Sequence, residues 1–309
     1  MPFLIEQKLV VAIASSALFD LTESDHIYVD QGVEAYRHYQ REHVDVPFGK
    51  GVAFPFIKRL LNLNTLFPDE EPVEVIFLSR NDPESGRRLY RSAHQHGLAI
   101  TRGAFLAGKS PYPYIPAFNA SLFLSANRED VIQAIRAGFP AGVVLPSTVT
   151  DDDADAELRI AFDFDGVIAD DESERVYGEK NDLNAFIRNE VDKQNTPHHP
   201  GPLKPLFEKI SRFQRIEADK AEKNKAYKPA LRVAIITARS APANERVITT
   251  LESWGLAVDE TFFLGGIAKG RILDVLKPHM FFDDQIAHLT PTALAVPSVH
   301  IPFGVKNVD

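Results

Sequence analysis

Six short runs of apolar, largely β-branched residues recur along the chain. They are LVVAIA (9–14), VEVIFLS (73–79), FPAGVVLP (139–146), LRIAFDF (158–164), LRVAIIT (231–237) and MFFDD (280–284). A strand with one wet face alternates apolar and polar residues. A near-continuous run is what a strand buried on both faces of a parallel sheet requires. Helical spacing lies between the runs. Val247, Leu251 and Trp254 are spaced four and three, with Gly255 as a stop, and 129–138 behaves the same way up to Gly138. Strands alternating with helices predict an α/β fold with a doubly wound parallel sheet.

The 309 residues correspond to two domains at about 150 residues each. The acidic, aperiodic stretch 147–157 is the expected linker. The two halves also share an ordered set of matches. Glu23-Ser24 and Tyr28 recur as Glu172-Ser173 and Tyr177, and Gly51 and Pro55 recur as Gly201 and Pro205. Gly97-Leu98-Ala99 recurs as Gly255-Leu256-Ala257, AFLAG (104–108) as FFLGG (262–266), and LFLSAN (122–127) falls on MFFDDQ (280–285). Offsets that drift slowly in a preserved order predict an internal duplication, with copies at 1–150 and 151–309. Each copy carries a helical insertion, 21–72 in the first and 171–230 in the second. The second is too long for a plain loop and is expected to form a cap.

Composition excludes several chemistries. There is no cysteine, which removes disulfides, thiolate metal sites and cysteine nucleophiles. The formal charge is −9, a poor match to a nucleic-acid backbone. The N-terminal apolar stretch lacks a basic flank and is cut by Asp20. It is too short to cross a bilayer. A soluble, cytoplasmic protein with no nucleic-acid or membrane partner is expected.

The chemistry concentrates in the second half. LRIAF is followed by Asp163-Phe164-Asp165-Gly166. At a strand end, two carboxylates two residues apart address one point on the edge where open α/β sheets bind ligands. Gly166 allows a sharp exit and close backbone approach. LRVAIIT ends in Thr237-Ala238-Arg239-Ser240, a hydroxyl and free amides suited to phosphate. Lys269 supplies positive charge, and MFF ends in Asp283-Asp284. Each signal alone is weak. A lone Asp pair is ordinarily surface, and a strand-end Thr is ordinarily a cap. Carboxylates from two strand ends with a phosphate oxygen describe a Mg²⁺ site. The first copy has Ala14, Ser16, Ser79 and Ser125-Ala126 at the corresponding places and keeps only Lys109. It is expected to be non-catalytic.

The order FDFDGV (162–167), ITAR (236–239), Lys269 and FFDD (281–284) resembles the four motifs of the haloacid dehalogenase superfamily of phosphohydrolases. ALFD (17–20), QGVEAY (31–36), VPF (46–48), AFPF (53–56), GKSP (108–111), DESE (171–174), GPLK (201–204), TARS (237–240) and WGL (254–256) resemble the cytosolic 5′-nucleotidase type I family, AMP-preferring in its animal members. Animal members of that family place Gly where this chain has Phe164, whose ring is expected to point away from the site. The resemblance implies two tandem haloacid dehalogenase-like units. It also implies a Mg²⁺-dependent hydrolysis of nucleoside 5′-monophosphates in which Asp163 forms an aspartyl-phosphate and Asp165 acts as general acid and base. Asp163, the Asp165 carbonyl and Asp283 would hold Mg²⁺, with Asp284 behind them. Thr237, Ala238 and Lys269 would hold the phosphate.

Glu172, Tyr177 and Lys204 are the substrate-contact candidates in the cap, and His198-His199 is expected to be an exposed pair in a Pro-rich loop. Lys109 leaves a nucleotide effector open, and the first insertion leaves a homo-oligomer open. Two other functions compete: a phosphatase of another small phosphoester such as a sugar phosphate, and a non-catalytic nucleotide-binding protein.

Overall fold

The computed structural model describes residues 4–68, 72–180 and 182–307. Residues 69–71 of the first insertion and 181 of the second therefore lie outside the described residues. Contacts divide the chain into two compact units, Met1–Val144 and Leu145–Asp309.

In the first unit, β1 (Leu9–Ile13) is buried at every residue, as a strand covered on both faces must be. It pairs in parallel with β2 (Val73–Ser79) on one side and β4 (Leu122–Ser125) on the other. β3 (Arg102–Phe105) continues beyond β2, and β5 (Ala141–Val144) beyond β4. The order is β3-β2-β1-β4-β5. The insertion forms the helices Thr22–Glu42, kinked at Gly32, and Phe54–Leu66. The second of these buries Phe54, Phe56, Ile57, Leu60 and Leu63, the face its apolar spacing predicts.

The second unit is built the same way. β6 (Leu158–Phe162) sits centrally between β7 (Leu231–Thr237) and β9 (Met280–Asp283), all parallel. β8 (Glu260–Phe263) flanks β7, and β10 (Ser298–His300) flanks β9. The order is β8-β7-β6-β9-β10. One face of this sheet packs Ala161, Ala234, Ile236 and Phe281 against Leu273, Leu276 and Leu289. Phe162 stacks on Phe282 with ring centroids 5.0 Å apart and meets Phe207 edge-on at 5.2 Å. Phe207 belongs to the helix Lys204–Lys223 of the cap insertion, which also contains the helices Glu172–Lys180 and Leu183–Asp192. Because the strands are parallel, Asp163, Thr237 and Asp283 all stand at the same, C-terminal edge of this sheet.

The mostly parallel α/β sheet matches the expected class. Four strands of the two sheets lie outside the six apolar runs. β3 and β8 are half-buried throughout and carry no continuous apolar stretch. β10 has three residues. β4 lies within LFLSAN, which the sequence marks only through the repeat.

Candidate active site

Asp163 follows the last residue of β6, and its amide donates to the Phe282 carbonyl of β9 (2.8 Å). The chain then turns through Gly166 at φ +71°, a left-handed conformation that glycine adopts without penalty. A Cβ there would lie 2.7 Å from the Asp284 carboxylate carbon. The glycine therefore supplies both the turn and the room for Asp284.

Lys269 joins two strand ends. Its Nζ lies 2.5 Å from Asp163 Oδ2 and 2.7 Å from Asp283 Oδ2, with all three side chains buried. Asp163 Oδ1 accepts from the Phe164 amide (2.7 Å). Burial pushes the Asp163 carboxyl up to about 6; Lys269 opposes that rise, while Asp283 adds to it. Burial works against the Lys269 ammonium, yet Asp163 and Asp283 outweigh it and hold the lysine charged. Burial would likewise raise Asp283, but Lys269 and His288 bring it below the ordinary range. Asp283 Oδ1 also accepts from the Gln285 amide (2.8 Å), and His288 Nδ1 lies 3.2 Å from Oδ2.

Asp284 is different. It is fully buried, and among the described residues neither carboxylate oxygen has a hydrogen-bond partner. Burial, then Glu174, Asp163 and Asp283, push it up to about 10. Glu174 of the cap has Oε1 held by Gln285 Nε2 (2.5 Å) and an unpartnered Oε2. Burial and the charges of Asp165 and Asp163 push it up to about 7. Orphaned carboxylate oxygens in a buried place are costly unless a cation or donor meets them. Asp163, Asp283 and His288 can bring one ligand atom each within 4.8 Å of one another. The donor set is acidic and oxygen-rich, which fits a hard divalent cation.

Asp165 does not join this group through its side chain. Arg239 takes both its oxygens, from Nε (2.8 Å) and Nη2 (2.7 Å). Arg239 also donates from Nη2 to Ser173 Oγ (2.8 Å) and from Nη1 to Glu190 and to the Ala243 carbonyl (3.2 Å). Thr237 is buried, and its Oγ1 accepts from the Arg239 amide (3.3 Å). Ala238 beside it is exposed.

The other sequence candidates have partners of their own. Glu172 pairs with Arg246 (2.8 Å) and with Lys193. Lys204 pairs with Glu208 and lies over the Trp254 ring. Tyr177 is exposed, with Lys306 at 5.8 Å from its ring centre. One expectation is overturned. His198 is 3% exposed, not a surface residue, while His199 is exposed. The His198 ring meets Phe164 edge-on at 5.5 Å and lies 3.4 Å from Glu190. Phe164 itself is buried, with the Arg239 guanidinium 5.6 Å from its ring centre.

Arg239, Glu190, Glu174 and His288 were not among the sequence candidates. Arg239 adjoins the strand-end hydroxyl signal, and Glu174 closes DESE, so both had a local cue. Glu190 had none: it lies in the last turn of the helix Leu183–Asp192 and is 1% exposed. Burial would raise its carboxyl, but His198 and Arg239 hold it well below the usual range. A depressed carboxylate stabilises the fold in full above its unfolded value, about 4.3, and loses that contribution as pH falls. Thermal melts run down from neutral pH are expected to show stability dropping below about pH 4.3. Glu190→Gln should start about 3 kcal/mol less stable and show a shallower acid slope. An unchanged slope would remove Glu190 as the source.

In the first unit the strand ends are uncharged. Asn81 Oδ1 accepts from Ser15 Oγ (2.6 Å) and Ser79 Oγ (2.5 Å), and Asn81 Nδ2 donates to Tyr36 (2.9 Å). Lys109 is exposed.

A family model for 5′-nucleotidases matches residues 1–308. The chain belongs to the 5′-nucleotidase family. It is 34% identical over 287 residues to human cytosolic 5′-nucleotidase 1B, covering 91% of this chain and 46% of that protein. The chain thus spans about half the length of that curated relative. No solved structure matches at a significant level. Among the described residues, no helix is long and apolar enough to cross a membrane.

Proposed function

We propose that the second unit is a Mg²⁺-dependent 5′-nucleotidase centre that hydrolyses nucleoside 5′-monophosphates. The observation that carries this reading is Asp163 held against Lys269 beside the unpartnered oxygens of Asp284. Family membership supplies the substrate class, and the human relative's name supplies the cytosol as the place. AMP is the first substrate to try, on the family resemblance.

Asp163 attacks phosphorus and forms an aspartyl-phosphate as the bond to the ribose 5′-oxygen breaks. Asp165 gives that oxygen a proton, then takes one from the water that opens the acyl phosphate. The proton count closes: water enters, and nucleoside and phosphate leave. Lys269, Thr237 and the Ala238 amide hold the phosphoryl oxygens. Bound Mg²⁺ would screen the repulsion between carboxylates and phosphate. Asp163, the Asp165 carbonyl and Asp283 would hold it, with the unpartnered oxygens of Asp284 beside them.

The tandem haloacid dehalogenase-like duplication belongs to the same proposal. One detail supports it besides the shared strand order. Gly51 and Ala53 amides donate to the Leu18 and Ala17 carbonyls, and Gly201 and Leu203 amides donate to those of Ile168 and Val167. That is one pattern repeated at an offset of 150.

The test is phosphate release by the purified chain from AMP, other nucleoside monophosphates and a sugar-phosphate panel. Nucleotide hydrolysis is expected, lost in chelator and restored by Mg²⁺. Preference for sugar phosphates, or chelator-resistant turnover, would overturn the reading.

A further inference from the structure

We infer that Arg239 is a positioning residue for leaving-group protonation, tying the acid–base carboxylate of Asp165 to the cap helices through Glu190 and Ser173. This rests on the acid–base role proposed for Asp165.

Arg239 is 4% exposed and has no free edge. Its Nε and Nη2 face the two oxygens of Asp165 in a fork-to-fork pair, the geometry that fixes a carboxylate's plane as well as its position. The opposite edge reaches the cap. Nη1 meets Glu190 on the helix Leu183–Asp192, and Nη2 meets Ser173 on the helix Glu172–Lys180. Ser173 donates in turn to Glu190 Oε1 (2.8 Å), and Arg246 Nη1 meets the same oxygen (3.1 Å). His198 Nε2 lies 3.2 Å from Arg239 Nη2. The guanidinium is thus fixed from the cap side and aims its remaining donors at Asp165.

The pair is a bond to the carboxylate, not to the acid. When Asp165 carries a proton, one oxygen is a donor and cannot accept from the fork. As that proton passes to the ribose oxygen, the second oxygen becomes an acceptor and the two-bond pair closes. Arg239 therefore bonds the state that follows proton transfer better than the state before it, which is the requirement for lowering a barrier. The same pair then holds the carboxylate ready to take the proton of the attacking water. No co-reactant is needed. The proton leaves Asp165 with the nucleoside and returns from water.

A poor leaving group needs this help and a good one does not. The ribose 5′-oxygen would depart as an alkoxide, whereas p-nitrophenolate is stable without a proton. The experiment measures kcat at saturation for AMP and for p-nitrophenyl phosphate, in the presence of Mg²⁺, for the wild type and four variants. Arg239→Lys keeps a charge and loses the fork. The ratio of AMP to p-nitrophenyl phosphate turnover is expected to fall about 30-fold. Glu190→Gln, which leaves Arg239 in place, should lower the ratio in the same direction by about 5-fold. It carries the test if Arg239→Lys fails to fold. Asp165→Asn should lower the ratio at least as far as Arg239→Lys, and the double variant Asp165→Asn with Arg239→Lys no further than Asp165→Asn alone.

An equal loss on both substrates in Arg239→Lys would overturn the inference, as would a further, additive fall in the double variant. If Asp165→Asn itself leaves the ratio unchanged, the acid–base reading of Asp165 fails instead, and the two failures are told apart.

Discussion

Asp163→Asn is expected to abolish turnover, by about 10⁴-fold or more, with the fold retained. The amide matches the carboxyl in shape but is not a nucleophile, so no aspartyl-phosphate can form. The structural cost is small. Burial already pushes the Asp163 carboxyl up to about 6, so a neutral group of the same size removes a charge the site resists. Lys269 keeps Asp283 at 2.7 Å, and the Phe164 amide keeps an acceptor at the Asn oxygen. The assay is single-turnover phosphate release from AMP beside a thermal melt. A wild-type melt with no release supports the nucleophile. Full release by a clean preparation would reassign it.

Lys269→Met is expected to cost both activity and stability. Its ammonium meets Asp163 at 2.5 Å and lies closer to Asp283 (2.7 Å) than His288 does (3.2 Å). Removing one partner of a buried ion cluster leaves the others uncompensated, a loss of about 3–5 kcal/mol. Turnover should fall about 10³-fold, because the charge that would face the transferring phosphoryl group is gone. Denaturant unfolding in chelator reads the first effect and kcat reads the second. Added Mg²⁺ should recover part of the stability, since it brings charge to the same carboxylates, but not the rate. Wild-type kcat would remove Lys269 from the phosphate site.

What was legible had a local cause. Asp163, Thr237 and Asp283 close near-continuous apolar runs, and a parallel sheet necessarily puts such ends on one edge. Gly166 sits between an acid and an apolar segment, and the structure uses its left-handed φ. Half-buried edge strands such as Arg102–Phe105 were invisible because their burial comes from neighbours and not from their own composition. The Arg239 network was invisible for a related reason. Arg239 finds Asp165 across 74 residues and Glu190 across 49, and no periodicity encodes such a pairing. His198 was misread because a Pro-rich loop ordinarily runs over the surface. Here its amide is anchored to Thr250 Oγ1 (3.1 Å), and the ring turns inward against Phe164.

The central place of β6 has a kinetic meaning as well. β6 pairs with β7, which follows it after the cap, and with β9, just before which His279 accepts from the Arg159 amide across 120 residues. Closing such long loops is slow. Lys269 and Asp283 come late in the chain, so a partly assembled unit can hold Asp163 and Asp165 with neither the lysine nor the second acid in place. On the proposed function, activity is then expected only once the last strands have docked, so that recovery of turnover on refolding would report completed folding.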